Sequence, residues 1–174
     1  MLDIQDLSIS FHKQPVLQHL SFHLDGHECI YIHGINGSGK STLFKLICDI
    51  IKPTSGTITK KNDLQIGALI ENPGFLENET LAYNLQFLAS LKNQYDSTYI
   101  ESLCQQFQLD LHSSMKLKNF SVGMRQKAGI IQAIMENQEL ILLDEPTRGL
   151  DQTSIHTFCQ LINQLHDKGH TIVI

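Results

Sequence analysis

Nine consecutive residues, "GINGSGKST" from Gly34 to Thr42, fit the pattern G-x-x-x-x-G-K-[ST]. An apolar stretch, Cys29 to His33, precedes them, and Leu43, Ile47 and Ile51 follow on one helical face. That strand–turn–helix setting is what a phosphate-binding loop requires. Gly34, Ile35, Asn36, Gly37, Ser38 and Gly39 would form the loop, and Lys40, Ser41 and Thr42 would open the helix. Glycines let the backbone curl until successive N–H groups point into one anion-sized hollow. The helix N-terminus adds its partial positive charge. Lys40 can then reach the outer phosphates of a nucleotide, and Ser41 can ligate Mg²⁺.

A second stretch, "LILLDEP" from Leu140 to Pro146, supplies the other half of such chemistry. A buried apolar strand ends in a carboxylate, Asp144, aimed at the metal. Glu145 follows directly and can polarise an attacking water. Without the phosphate loop, the same segment would read as a strand ending in a solvated acidic turn.

These residues need elements to hold them. Leu7, Ile9 and Phe11 alternate with serines, as do Leu20, Phe22 and Leu24 with Ser21 and His23. The alternation predicts two half-buried strands joined by a turn near "HKQP". "CIYIH", Cys29 to His33, is more apolar and is predicted as a third, more buried strand. "TIT" and "IGALI" predict two short strands. Leu81, Leu85 and Leu88 predict one helix, and Ile100, Leu103, Cys104 and Phe107 a second. Ser121 can cap a third, running to about Glu136. A last helix, carrying Ile155, Phe158, Ile162 and Leu165, ends at Gly169 before the strand "TIVI". Strands alternating with helices imply an α/β fold with a parallel sheet. Residues 1–174 read as one domain with a helical insertion over about 75–125.

Composition excludes several classes. Apolar residues make up 41% and charged residues 18%, an ordinary globular mixture. A net charge of −5 argues against a nucleic-acid partner, which needs clustered Lys and Arg. The four cysteines form no CxxC pair and suit a reducing compartment. No apolar run approaches the ~20 residues that span a bilayer, so the chain is expected to dissolve in water. His19, His23 and His27 are spaced by four, but on a strand four residues cover about 13 Å, too far for one ion.

With these motifs in order, the sequence resembles the ATP-binding cassette subunits of ABC transporters. The resemblance covers essentially the whole chain. "FSVGMRQ", Phe120 to Gln126, resembles the family's signature segment, with Ser121 and Gly123 at its key positions and Val122 and Met124 departing from it. "RGLD" resembles the segment in which Asp151 touches an opposite subunit, and Phe11 matches an aromatic that stacks on adenine. The implied fold is a P-loop NTPase of ABC ATPase type: a RecA-like parallel-sheet core, an N-terminal antiparallel β subdomain and a helical insertion. The implied ligands are ATP and Mg²⁺. The implied partners are a second ATP-binding subunit, facing head to tail, and a membrane-spanning permease that would hold the chain at the cytoplasmic face of the membrane.

In "GALIENPGF", Glu71 stands where most members of the family carry glutamine, a residue that contacts Mg²⁺ and the attacking water. A carboxylate ~6 Å from the γ-phosphate would cost roughly 3 kcal/mol at an effective dielectric near 20, unless metal ligation offset it. "IENPGF" resembles a subgroup of bacterial exporters that protect cells from peptide antibiotics such as bacitracin and lantibiotics. The alternatives are a nucleotide-driven switch with little hydrolysis and a soluble ABC ATPase without a membrane partner. In the resembled family the last strand runs on to a histidine at the γ-phosphate. The sequence given stops at Ile174, and His170 precedes the strand. The expectation is therefore a truncated chain that binds ATP, hydrolyses it poorly and tends to aggregate.

Overall fold

The computed structural model describes residues 1–91 and 95–174. Strand β1 (Leu2–Phe11) and strand β2 (Gln14–Leu24) form a hairpin. Its two-residue turn, His12 and Lys13, has φ of 48° and 67°. Two left-handed residues match the natural twist of the flanking strands. Strand β4 (Ser55–Lys60) pairs with the other side of β1, completing an antiparallel sheet in the order β2–β1–β4.

The second sheet is parallel. Strand β3 (Cys29–Ile30), strand β5 (Ile66–Leu69), strand β6 (Leu140–Leu143) and strand β7 (Thr171–Val173) lie in the order β3–β7–β6–β5. Helix α1 (Lys40–Ile47) follows β3 and packs between the two sheets. Helices α2 (Leu81–Ser90), α3 (Ser97–Gln106) and α4 (Val122–Ile134) precede β6, and α5 (Gln152–Asp167) joins β6 to β7. A 3₁₀ turn, Leu117–Asn119, leads into α4.

Strand β6 shows why its sequence is apolar without a break. Leu140 and Leu142 belong to a core shared with α1 and the antiparallel sheet, while Ile141 and Leu143 belong to a core shared with α2, α3, α4 and α5. Successive side chains point to opposite faces, and both faces are covered, so no position is left for a polar residue. Ile172 and Val173 divide between the same two cores.

The stretch "CIYIH" departs from expectation. Its strand is two residues long, and the ladder continues only through Ile32 N–H, which donates to Ile174 O at 2.7 Å. Cys29 and His33 are exposed, and Tyr31 is 73% exposed. Strand β3 pairs on one side alone, at the edge of this sheet. Apolar composition tracked the sheet but not the position within it. Among the described residues no helix is long and apolar enough to cross a membrane.

Candidate functional site

The chemistry-bearing residues gather at one end of the parallel sheet. The glycine-rich loop follows β3, Glu71 follows β5, and Asp144 and Glu145 follow β6. Strands β5 and β6 are in register from Ile66↔Leu140 to Leu69↔Leu143, and Asp144 N–H donates to Leu69 O at 2.8 Å. Continued two residues on, that register brings Glu71 to the level of Glu145, and Glu71, Asp144 and Glu145 line one cleft. Ligands of open α/β sheets bind outside the carboxyl ends of the strands, and these residues lie there.

The loop turns through a hydrogen bond from Ser38 N–H to Ile35 O at 3.1 Å. Gly39 is the cap of α1 at φ 96°, and a Cβ there would lie 2.8 Å from Leu17 Cδ2. The conformation and the space both require glycine. No side chain caps α1, which leaves the first N–H groups of the helix to an anion, the chemistry of an anion site. Lys40 Nζ donates to Gly34 O at 2.8 Å and Ile35 O at 3.2 Å, so the ammonium lies across the loop mouth.

Ser41, on the first turn of α1, donates its hydroxyl to Asp144 Oδ2. Asp144 is buried, and Glu145 beside it is exposed with φ 46°. Ser41 and Asp144 thus offer two hard oxygens at one point, a donor set that fits Mg²⁺. A cleft of about 680 Å³ joins these groups, with Phe11, Asn36, Lys40, Ser41, Asp144 and Glu145 on its walls. Phe11, at the last position of β1, is exposed rather than a core residue, leaving its ring free at the cleft margin.

Glu71 lines the same cleft, and Lys45 Nζ on α1 holds its Oε1 at 2.6 Å. The ion pair offsets the negative charge that Glu71 brings to the cleft. Lys45 was invisible as a site residue in the sequence, although it lies one turn beyond Ser41 on the same helix. The pair is exposed, 30% for Lys45 and 56% for Glu71. Exposed pairs contribute up to about 1 kcal/mol, so Glu71→Ala is expected to change the unfolding free energy by no more than about 1 kcal/mol in urea denaturation. A larger loss would make the residue structural.

Ser121 caps α4, its hydroxyl accepting from Met124 N–H at 3.2 Å, and it is exposed. Gly123 is half-buried in the first turn of α4. Asp151 has a local task besides the partner contact that the resemblance implies. It caps α5, accepting from Ser154 N–H at 2.8 Å and the Ser154 hydroxyl at 2.9 Å. These hydrogen bonds, with Lys127 nearby, hold its carboxyl below the usual carboxylate range. Arg148 also lines the cleft and was not singled out by its sequence context. His19 bonds Asp6 at 2.6 Å, whereas His23 lies against Asp3 and Asp25.

The sequence model of the family described as ABC transporter matches residues 17–148. The lantibiotic transport ATP-binding protein SrtF of Streptococcus pyogenes is 31% identical over 181 residues, covering 100% of this chain and 79% of that protein. The bacitracin transport ATP-binding protein BcrA of Enterococcus faecalis is 30% identical over 185 residues, covering 100% of this chain but 60% of that protein. A solved ATP-binding subunit of an ABC transporter superposes with a TM-score of 0.87 at 30% identity, over 99% of this chain and 78% of that one. The fold agrees with these likenesses, and the chain belongs to the ABC transporter family, with the fold of its ATP-binding cassettes.

Proposed function

We propose that the chain binds and hydrolyses ATP as the motor subunit of an exporter that removes peptide antibiotics of the bacitracin or lantibiotic kind. The observation that carries this reading is the meeting of Lys40, Ser41, Asp144 and Glu145 in one cleft, with Phe11 at its margin. Phe11 stacks on the adenine. The loop from Gly34 to Gly39, with Lys40 and Thr42, cradles the phosphates. Ser41 and Asp144 hold Mg²⁺, with Glu71 beside them. The ion, when bound, neutralises charge on the phosphate oxygens. Glu145 takes the proton of the attacking water as its oxygen bonds to the γ-phosphorus and the bridging oxygen leaves with ADP.

Exposed Ser121 and half-buried Gly123, at the start of α4, suit a nucleotide held by a second ATP-binding subunit. A membrane-spanning permease is the other partner. The rings of Tyr83 and Phe87 on α2 stack 6.5 Å apart and are 50% and 43% exposed, an apolar pair available to it. The antibiotic cargo rests on the "IENPGF" segment and on the printed roles of SrtF and BcrA.

The purified intact protein should hydrolyse ATP only with a divalent cation, and disrupting its gene should sensitise the cell to bacitracin or a lantibiotic. No hydrolysis would sink the reading whole. Hydrolysis with unchanged sensitivity would remove the cargo and leave the motor.

A further inference from the structure

Helix α4 carries the signature-like residues at its start, and its next turn holds the loop that contains Glu145. Gln126 is 7% exposed, and its Nε2 donates to Glu145 O at 3.1 Å and to Pro146 O at 3.1 Å. Both partners are carbonyl oxygens, so only the amide nitrogen can face them. Glu145 O also accepts from Arg148 N–H at 3.0 Å. One turn earlier, a Cβ on Gly123 would lie 2.7 Å from Gly149 O. One residue later, Lys127 Nζ lies 3.8 Å from Asp151 Oδ2. Residues 145–151 are therefore held from one helix at three successive points.

Glu145 needs that support. Its φ of 46° is a left-handed conformation that a residue with a Cβ adopts only where the surroundings over-determine it. Its side chain forms no hydrogen bond among the described residues, so the backbone alone aims the carboxylate. The Glu145 carbonyl carbon is bonded to the Glu145 Cα, so holding that carbonyl and the next one along restricts the backbone rotation that would swing the Cα–Cβ bond.

We infer that Gln126 is a positioning residue for Glu145, which also links the segment that faces a second subunit to this chain's own general base. The inference rests on Glu145 being that base. Its alternative is that Gln126 merely satisfies two buried carbonyls.

The test uses the intact protein. Gln126→Leu keeps the bulk and removes the donors. Its kcat should fall about fivefold while Mg·ATP affinity stays within about twofold, because the phosphate loop is untouched. In single-turnover assays, adding Gln126→Leu to Glu145→Gln should cause no further loss, since the two act as a unit. Gln126→Glu keeps the shape but donates only when protonated. Its activity relative to the parent should rise as pH falls, because protonation restores a donor and removes a charge facing two carbonyls.

An unchanged kcat in Gln126→Leu overturns the inference. So does an equal loss in the Glu145→Gln background, which would place the effect elsewhere. If Gln126→Leu does not fold, the pH profile of Gln126→Glu decides, and a flat ratio overturns it. Should Glu145→Gln itself retain turnover, the assignment of the base fails instead, and the two failures are distinct.

Discussion

Glu145→Gln is expected to lower ATP turnover of the intact protein at least a hundredfold while leaving Mg·ATP affinity within about twofold. General base catalysis typically contributes 10²–10⁴, and an amide cannot take the proton of the attacking water. The substitution preserves size and shape. Glu145 is exposed, and its carboxylate is bonded to no neighbour among the described residues, so the fold loses nothing by it. The unfolding free energy from urea denaturation should stay within the roughly ±0.5 kcal/mol typical of surface changes. Asp144→Asn should behave differently, because Asp144 is buried and accepts the Ser41 hydroxyl. It should weaken the dependence on the divalent cation and disturb the loop helix. Measuring single-turnover hydrolysis and nucleotide affinity side by side separates the two carboxylates. A Glu145→Gln variant that keeps more than a tenth of the parent rate would assign the base to another residue.

What could be read from the sequence, and what could not, follows from how each feature is encoded. The phosphate loop is local: its glycines, Lys40 and Ser41 are adjacent in the chain, and their conformations follow from residue type. Strand β6 was legible because both its faces are buried, which leaves an unbroken apolar run. The third strand was misjudged because burial at a sheet edge depends on what pairs beside it. The Lys45–Glu71 pair joins residues on separate elements, so no local pattern announces it. Gln126 left a fainter sign. It is a polar residue at helical spacing with Ile130 and Ala133 on the buried face of α4, the kind of position whose amide must find partners. Its partners, the Glu145 and Pro146 carbonyls, were beyond reach of the sequence. For Asp151 the local capping of α5 was readable from the serine three residues on, but the resemblance drew attention to a partner surface instead.

Lys40→Ala is expected to weaken Mg·ATP binding at least tenfold, about 1.4 kcal/mol. Two physical losses act in the same direction. The ammonium is the only side-chain cation within "GINGSGKST", so its removal leaves the phosphates with backbone N–H groups and a helix terminus alone. The same ammonium also holds the loop, donating to Gly34 O and Ile35 O. Without it, the loop must be ordered when the nucleotide arrives, and binding pays that entropy. Lys40→Arg discriminates between charge and shape. Its fork keeps the charge but is planar and longer, and should recover only part of the affinity if the compact ammonium matters. Calorimetry reads the affinities directly. An independent reading comes from thermal unfolding, where saturating nucleotide stabilises by RT ln(1 + [L]/Kd), so tenfold weaker binding removes about 1.4 kcal/mol of that stabilisation at fixed concentration. The unliganded variant should unfold close to the parent, because Lys40 is only half-buried and its partners lie in a solvent-facing loop. If Lys40→Ala binds Mg·ATP as tightly as the parent, the loop between β3 and α1 is not the phosphate site, and the roles of Ser41, Asp144 and Glu145 lose their anchor with it.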